Sequence, residues 1–171
     1  MMSFRVVSAL AGRELRSQFW SPVGYVLVAL FVFLSGLLFY VVAPILLSTG
    51  FAEGQPASMR LFFLLALWVF LFVGPAVSMR SLAEEFRQGT FELLMTSPIR
   101  PAEIVLGKFL GLMAFMLILL VPTLVFVISL ELHGRPDYGE VLSGYLGLLL
   151  VAAAMLSSGM FASSLTQSQL L

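Results

Sequence analysis

Charge disappears from this chain for long intervals and returns in short bursts. Within Pro22–Leu47, Leu61–Met79, Phe109–Leu130 and Val141–Ser164 there is no Asp, Glu, Lys, Arg or His. A helix needs about 20 apolar residues to cross the hydrocarbon core of a bilayer, and each interval meets or approaches that length. None shows the period-two alternation of a barrel strand, so helices are the remaining way to satisfy every backbone polar group in lipid. The pattern predicts an all-α, polytopic transmembrane bundle of four spans in one domain, residues 1–171.

The polar stretches between them differ from one another. Residues 3–20 (SFRVVSALAGRELRSQFW) are too polar to span. At about 100° per residue, Phe4, Val7, Ala11, Leu15 and Phe19 share one third of the circumference, while Arg5, Arg13 and Arg16 cluster on another arc. That is a basic amphipathic helix suited to the membrane interface, with its aromatic end at headgroup depth. Glu14 falls at the edge of the apolar arc and interrupts it. Ser21-Pro22 then breaks the helix before the first span. One proline falls in each of the first three spans (Pro44, Pro75 and Pro122), as a tolerated bend or a functional kink.

Composition supports the membrane reading. The chain is 60% hydrophobic and 11% charged, against roughly 25% charged in soluble domains. Arg and Lys set the orientation. Seven lie in the N-terminal stretch and in residues 80–108, against two in the other loops (Arg60 and Arg135). The positive-inside rule therefore puts the N-terminus and residues 80–108 in the cytoplasm. A retained anchor is expected rather than a cleaved signal, because the first apolar run starts late and is too long for a signal core. A formal net charge of zero argues against nucleic acid as a partner.

Several chemistries lack their residues. No ionisable side chain falls within a span, where a proton relay would need one. Cysteine is absent and His133 is the sole histidine, which leaves few ligands for a metal. Gly107-Lys108 lacks the upstream glycine and the following Ser or Thr of a phosphate-binding loop. No cofactor is expected on this chain, and if energy drives its motion a partner supplies it.

Seven of the eighteen charged residues sit between Glu84 and Lys108 (EEFRQGTFELLMTSPIRPAEIVLGK). The second span is expected to continue as a helix through RSLAEEFR and to stop at Gly89, which tolerates a left-handed C-terminal position. Thr90 can cap a short new helix, with Glu92 in its first turn and Phe91, Leu94 and Met95 on one side. Ser97-Pro98 ends it, and Pro101 with Glu103 opens the next helix, which enters the membrane past Lys108. An apolar ridge rimmed by Glu84, Glu85, Arg87, Glu92 and Arg100 is either a docking surface or a helix lying on lipid.

The same residues carry a family resemblance. Met79-Arg80, Ala83-Glu84-Glu85, Gly89-Thr90-Phe91-Glu92-Leu93-Leu94, Thr96-Ser97-Pro98-Ile99 and Ile104-Val105-Leu106-Gly107-Lys108 resemble the cytoplasmic loop of ABC-2 type transporter permeases. The likeness is nearest to their gliding-motility-associated branch, which Phe19–Tyr25, Gly139–Gly147 and Ser164–Gln167 also resemble. It implies a bacterial inner-membrane permease subunit, an exporter that works as a homo- or heterodimer with a separate ABC ATPase subunit. It also implies an interfacial N-terminal helix (Phe4, Arg5, Arg13, Leu15, Arg16, Phe19) and a coupling helix on the ATPase. The coupling residues would be Glu84, Glu85, Arg87, Gly89, Thr90, Phe91, Glu92, Leu93 and Leu94. Such permeases typically have six spans, so a truncated chain is expected. A structural or assembly anchor that docks an ATPase without moving substrate is the alternative.

Overall fold

Proline and aspartate mark most of the places where one helix gives way to the next. The computed structural model describes residues 4–42, 59–87, 101–133 and 137–167. Helix α1 (Phe4–Trp20) is separated by Ser21 alone from α2 (Pro22–Leu37), whose proline lies at the first helical position, where a missing N–H costs nothing. The last turn of α2 widens into a π-helical segment, Leu38–Val42. Helix α3 (Arg60–Arg87) runs unbroken through Pro75 and on through RSLAEEFR. Helix α4 (Pro101–Leu120) opens on proline with Glu103 in its first turn, where a carboxylate opposes the helix dipole. Pro122 then tightens the chain into a 3₁₀ turn, Val121–Thr123, before α5 (Leu124–His133). Helix α6 (Tyr138–Gln167) is capped by Asp137, whose side chain accepts the Gly139 N–H at 2.8 Å.

The architecture is all-α, with no strand among the described residues and four helical segments long and apolar enough to cross a membrane. Contacts fix their directions. Phe63, Gly74 and Ser78 of α3 meet Gly144, Met155 and Gly159 of α6, so these two helices run parallel in a constant register. Phe31 of α2 packs at a tilt against Phe70 of α3, and Phe39 stacks 4.8 Å from Phe126 of α5, so α2 rises alongside α4 and α5. The bundle is thus two parallel pairs running opposite ways. The start of α1, the end of α3, the start of α4 and the end of α6 lie at one end of it.

Small residues permit the α3–α6 contact. A Cβ on Gly159 would strike Ser78 Oγ, and one on Gly74 would lie 2.7 Å from Met155 Cβ. Small residues let spans approach closely where lipid supplies no hydrophobic drive between helices. Phe62, Ala66, Phe70 and Val77 of α3 face Leu148, Ala152, Leu156 and Met160 of α6 across this seam, all buried. Ala152 and Gly159, in the small-residue stretch VAAAMLSSGMFASS of α6, serve packing at this seam.

At the far end, all four spanning segments meet in an aromatic layer. Phe126 touches Phe39, Tyr40 and Phe62, while Phe63 meets Tyr145 edge-on at 5.2 Å. Thr123 donates its hydroxyl to Leu120 O at 2.6 Å and lies 2.9 Å from Tyr145 Oη, so the Tyr145 hydroxyl donates to Thr123. The outer surface stays apolar: Phe33, Phe72, Ile128 and Leu150 are each more than half exposed. Bands of this kind are stable only against lipid or another apolar surface.

Candidate functional site: a helical clasp beside the charged segment

The charged segment leaves α3 at Arg87 and enters α4 at Pro101. Residues 88–100, with the expected coupling residues Gly89, Thr90, Phe91, Glu92, Leu93 and Leu94, lie outside the described residues. Glu84, Glu85 and Arg87 fall on the last turns of α3, where the course of the helix is described and the side chains are not. What the structure does define is how the segment's exit is held.

Helix α4 is held by α1. Val7 and Leu10 sit over Gly107, Ala11 and Glu14 over Gly111, and Phe19 meets Phe115 edge-on at 5.5 Å. The two helices therefore advance in the same sense, with α1 inclined across the first half of α4. The approach is close because two glycines face it. A Cβ on Gly107 would lie 2.6 Å from Leu10 Cβ, and one on Gly111 would lie 2.6 Å from Glu14 Cβ and 2.7 Å from the Ala11 carbonyl oxygen. Gly107 and Gly111, spaced as GxxxG, form the contact surface here.

A buried polar set lies within this contact. Lys108 Nζ is 3.7 Å from Glu14 Oε2, and the two side chains are 7% and 10% exposed. Gln18 donates to Glu14 Oε1 at 3.3 Å from the next turn of α1. Glu103, one turn before Gly107, is also buried. Charges taken out of water this far are stable only when paired and further hydrogen-bonded.

The sequence-predicted face of α1 is consequently rotated. The buried arc centres on Val7, Leu10, Ala11, Glu14 and Gln18, not on the arc from Phe4 to Phe19. Leu15 and Phe19 are half-buried against the core, whereas Phe4, Arg5, Arg13 and Arg16 are exposed. Glu14, which looked like an interruption of the apolar arc, occupies its centre. Lys108, past which the helix was expected to enter the membrane, is buried under α1. The signal was present as a lone acid on α1 and a lysine directly after the first glycine of GxxxG.

Length explains why α4 needs a cover. The 21 residues Pro22–Val42 amount to about 31 Å of helix, close to the roughly 30 Å of a hydrocarbon core. The 33 residues Pro101–His133 amount to about 50 Å at the same rise. Some 18 Å of α4 is therefore surplus at the end where α1 lies, and α1 lines it.

These features define a polytopic helical membrane protein with a clasped, charge-flanked junction at one end. The chain belongs to the ABC-2 family: the family described as ABC-2 family transporter protein matches residues 8–170. It is a membrane permease subunit of an ABC transporter, a class that works with an ABC ATPase subunit. No curated protein and no solved structure gives a significant match.

Proposed function

We propose that this chain couples ATP hydrolysis by a separate ABC ATPase subunit to export of a substrate across a bacterial inner membrane. ATP and Mg are held by that partner, and this subunit catalyses no reaction of its own. Residues 84–98 are the coupling element, with Glu84, Glu85, Arg87, Gly89, Thr90, Phe91, Glu92, Leu93 and Leu94 against the ATPase. The N-terminus and residues 80–108 face the cytoplasm, α1 lies at the inner interface, and the permease works as a dimer. The likeness in residues 19–25, 139–147 and 164–167 favours the gliding-motility-associated branch.

One observation carries the coupling role. The segment is strung between two long helices, α3 and α4, and α4 is clasped to α1 by a buried ion pair at the junction. A push on such a segment displaces helices rather than dissipating in a loop. The family's ATPase makes an external push available.

The test is co-purification of the full chain with its ATPase, together with ATPase stimulation. Glu92→Arg with Leu94→Asp is expected to abolish both while leaving the permease in the membrane. Unchanged binding and stimulation would remove residues 84–98 from the docking role. Nucleotide-dependent substrate flux in sealed vesicles separates a transporter from an assembly anchor, which would bind the ATPase and move nothing.

A further inference from the structure

The side of α1 that is left over has an unusual composition. Arg5, Arg13, Arg16 and Trp20 fall within about 80° of one another around the helix, and all four are exposed, Trp20 at 89%. Ala9 lies exposed between them and Gly12 and Ser17 lie exposed on either side, so no bulk stands above the guanidinium groups. The only acid on α1 is Glu14, which points the opposite way and is neutralised by Lys108. No ion pair is formed by Arg5, Arg13 or Arg16 among the described residues. The outward face therefore carries three positive charges with nothing on it to offset them.

Its location limits what can meet those charges. One residue separates Trp20 from α2, whose length matches the hydrocarbon core, so Trp20 stands where that core ends. Tryptophan favours that depth, and Tyr25, one turn into α2, is likewise exposed. Because the apolar arc of α1 is already occupied by α4, the helix cannot bind a bilayer by burying that arc. Contact with the leaflet is left to the arginines and to the exposed aromatic residues at the two ends of α1, Phe4 and Trp20.

We propose that this face binds anionic phospholipid, its three arginines clamping headgroup phosphates while Trp20 sets their depth. The inference rests on the reading of α1 as an interfacial helix and adds the lipid chemistry and the face that recognises it. Guanidinium is suited to the task, since its fork of N–H donors matches phosphate oxygens bidentately and it never deprotonates in this setting. The resident lipid would hold α1 down on its outer side while Glu14–Lys108 holds it on the inner one.

The experiment uses the full chain carrying Trp68→Phe, which leaves Trp20 as the single tryptophan, in nanodiscs of equal phosphatidylglycerol and phosphatidylcholine. Native mass spectrometry reads the lipids retained, and brominated lipids read the depth of Trp20. Each arginine near an anionic surface contributes roughly fivefold in partition, so three set an upper bound of about a hundredfold. Phosphatidylglycerol is expected to be retained well above its share. Arg5→Gln with Arg13→Gln and Arg16→Gln should return the ratio to that of the disc, and Arg60→Gln, at the start of α3 and the other end of the bundle, should leave it enriched. Enrichment that survives the triple change, or none in the parent chain, overturns the proposal. Trp20 quenched at headgroup depth without enrichment sinks the lipid chemistry alone. Trp20 unquenched at every depth sinks the interfacial reading of α1 itself.

Discussion

Removing Lys108 while leaving Glu14 in place should lift α1 from α4. In Lys108→Met the apolar stem is kept and the ammonium is lost, so the Glu14 carboxylate, 10% exposed, stays covered without its cation while keeping the Gln18 hydrogen bond. At 3.7 Å the pair attraction is about 4 kcal/mol for an effective dielectric of 20. Desolvation offsets most of that in the intact pair, so the pair itself adds little net stability. Breaking one side is different and costs about 3–5 kcal/mol, because a buried carboxylate loses its ammonium. The separation is long for a charged hydrogen bond, which puts the expected loss near about 3 kcal/mol, or roughly 150-fold in the opening equilibrium. The chain has no cysteine, so a single Ala11→Cys, facing Gly111, reports on α1 lifting through its rate of alkylation. Lys108→Met should label roughly a hundredfold faster, by the same cost. Glu14→Leu with Lys108→Met should label close to the parent rate, since an apolar pair of similar volume replaces the ionic one. If the single and the double variant label alike, or both match the parent, the clasp does not depend on this pair.

Three further outcomes test the architecture. Gly111→Ala should destabilise the α1–α4 contact by about 1–3 kcal/mol through overpacking, read by the same alkylation, whereas Gly12→Ala, whose added methyl meets nothing within 4 Å, should be neutral or stabilise by up to about 1 kcal/mol. Gly159→Leu should part α3 from α6, seen as a lower midpoint in detergent-mixture unfolding, and Gly147→Leu, at an open position of α6, should leave that midpoint in place. Tyr145→Phe should cost about 0.6 kcal/mol, the usual worth of a hydrogen bond between spans; Thr123→Val should cost more, because it strands both the Leu120 carbonyl and the Tyr145 hydroxyl.

The spans were legible because their signal is long and additive: twenty apolar residues outweigh any local exception. Helix α1 was legible as a helix for the same reason, from three turns of periodicity. Its facing was not, since a buried acid reads as an error in an apolar arc until its partner is known, and Lys108 lies ninety-four residues away in sequence. The GxxxG of α4 had the same difficulty, because small residues state that something comes close without stating what. The π-helical segment at Leu38–Val42 has no sequence signal that separates it from the α-helix before it. The docking residues 89–94 remain a reading of motif and periodicity.

The 3₁₀ turn at Pro122 has a mechanical consequence. It divides the third span into two arms of unequal length, twenty residues on the clasped side and ten on the aromatic side. At 1.5 Å per residue these arms are about 30 Å and 15 Å long. A shift of about 5 Å at Pro101 therefore amounts to only about 10° at the turn and about 2.5 Å at His133. The span behaves as a lever with its fulcrum off-centre, trading travel near α1 for force at the aromatic end.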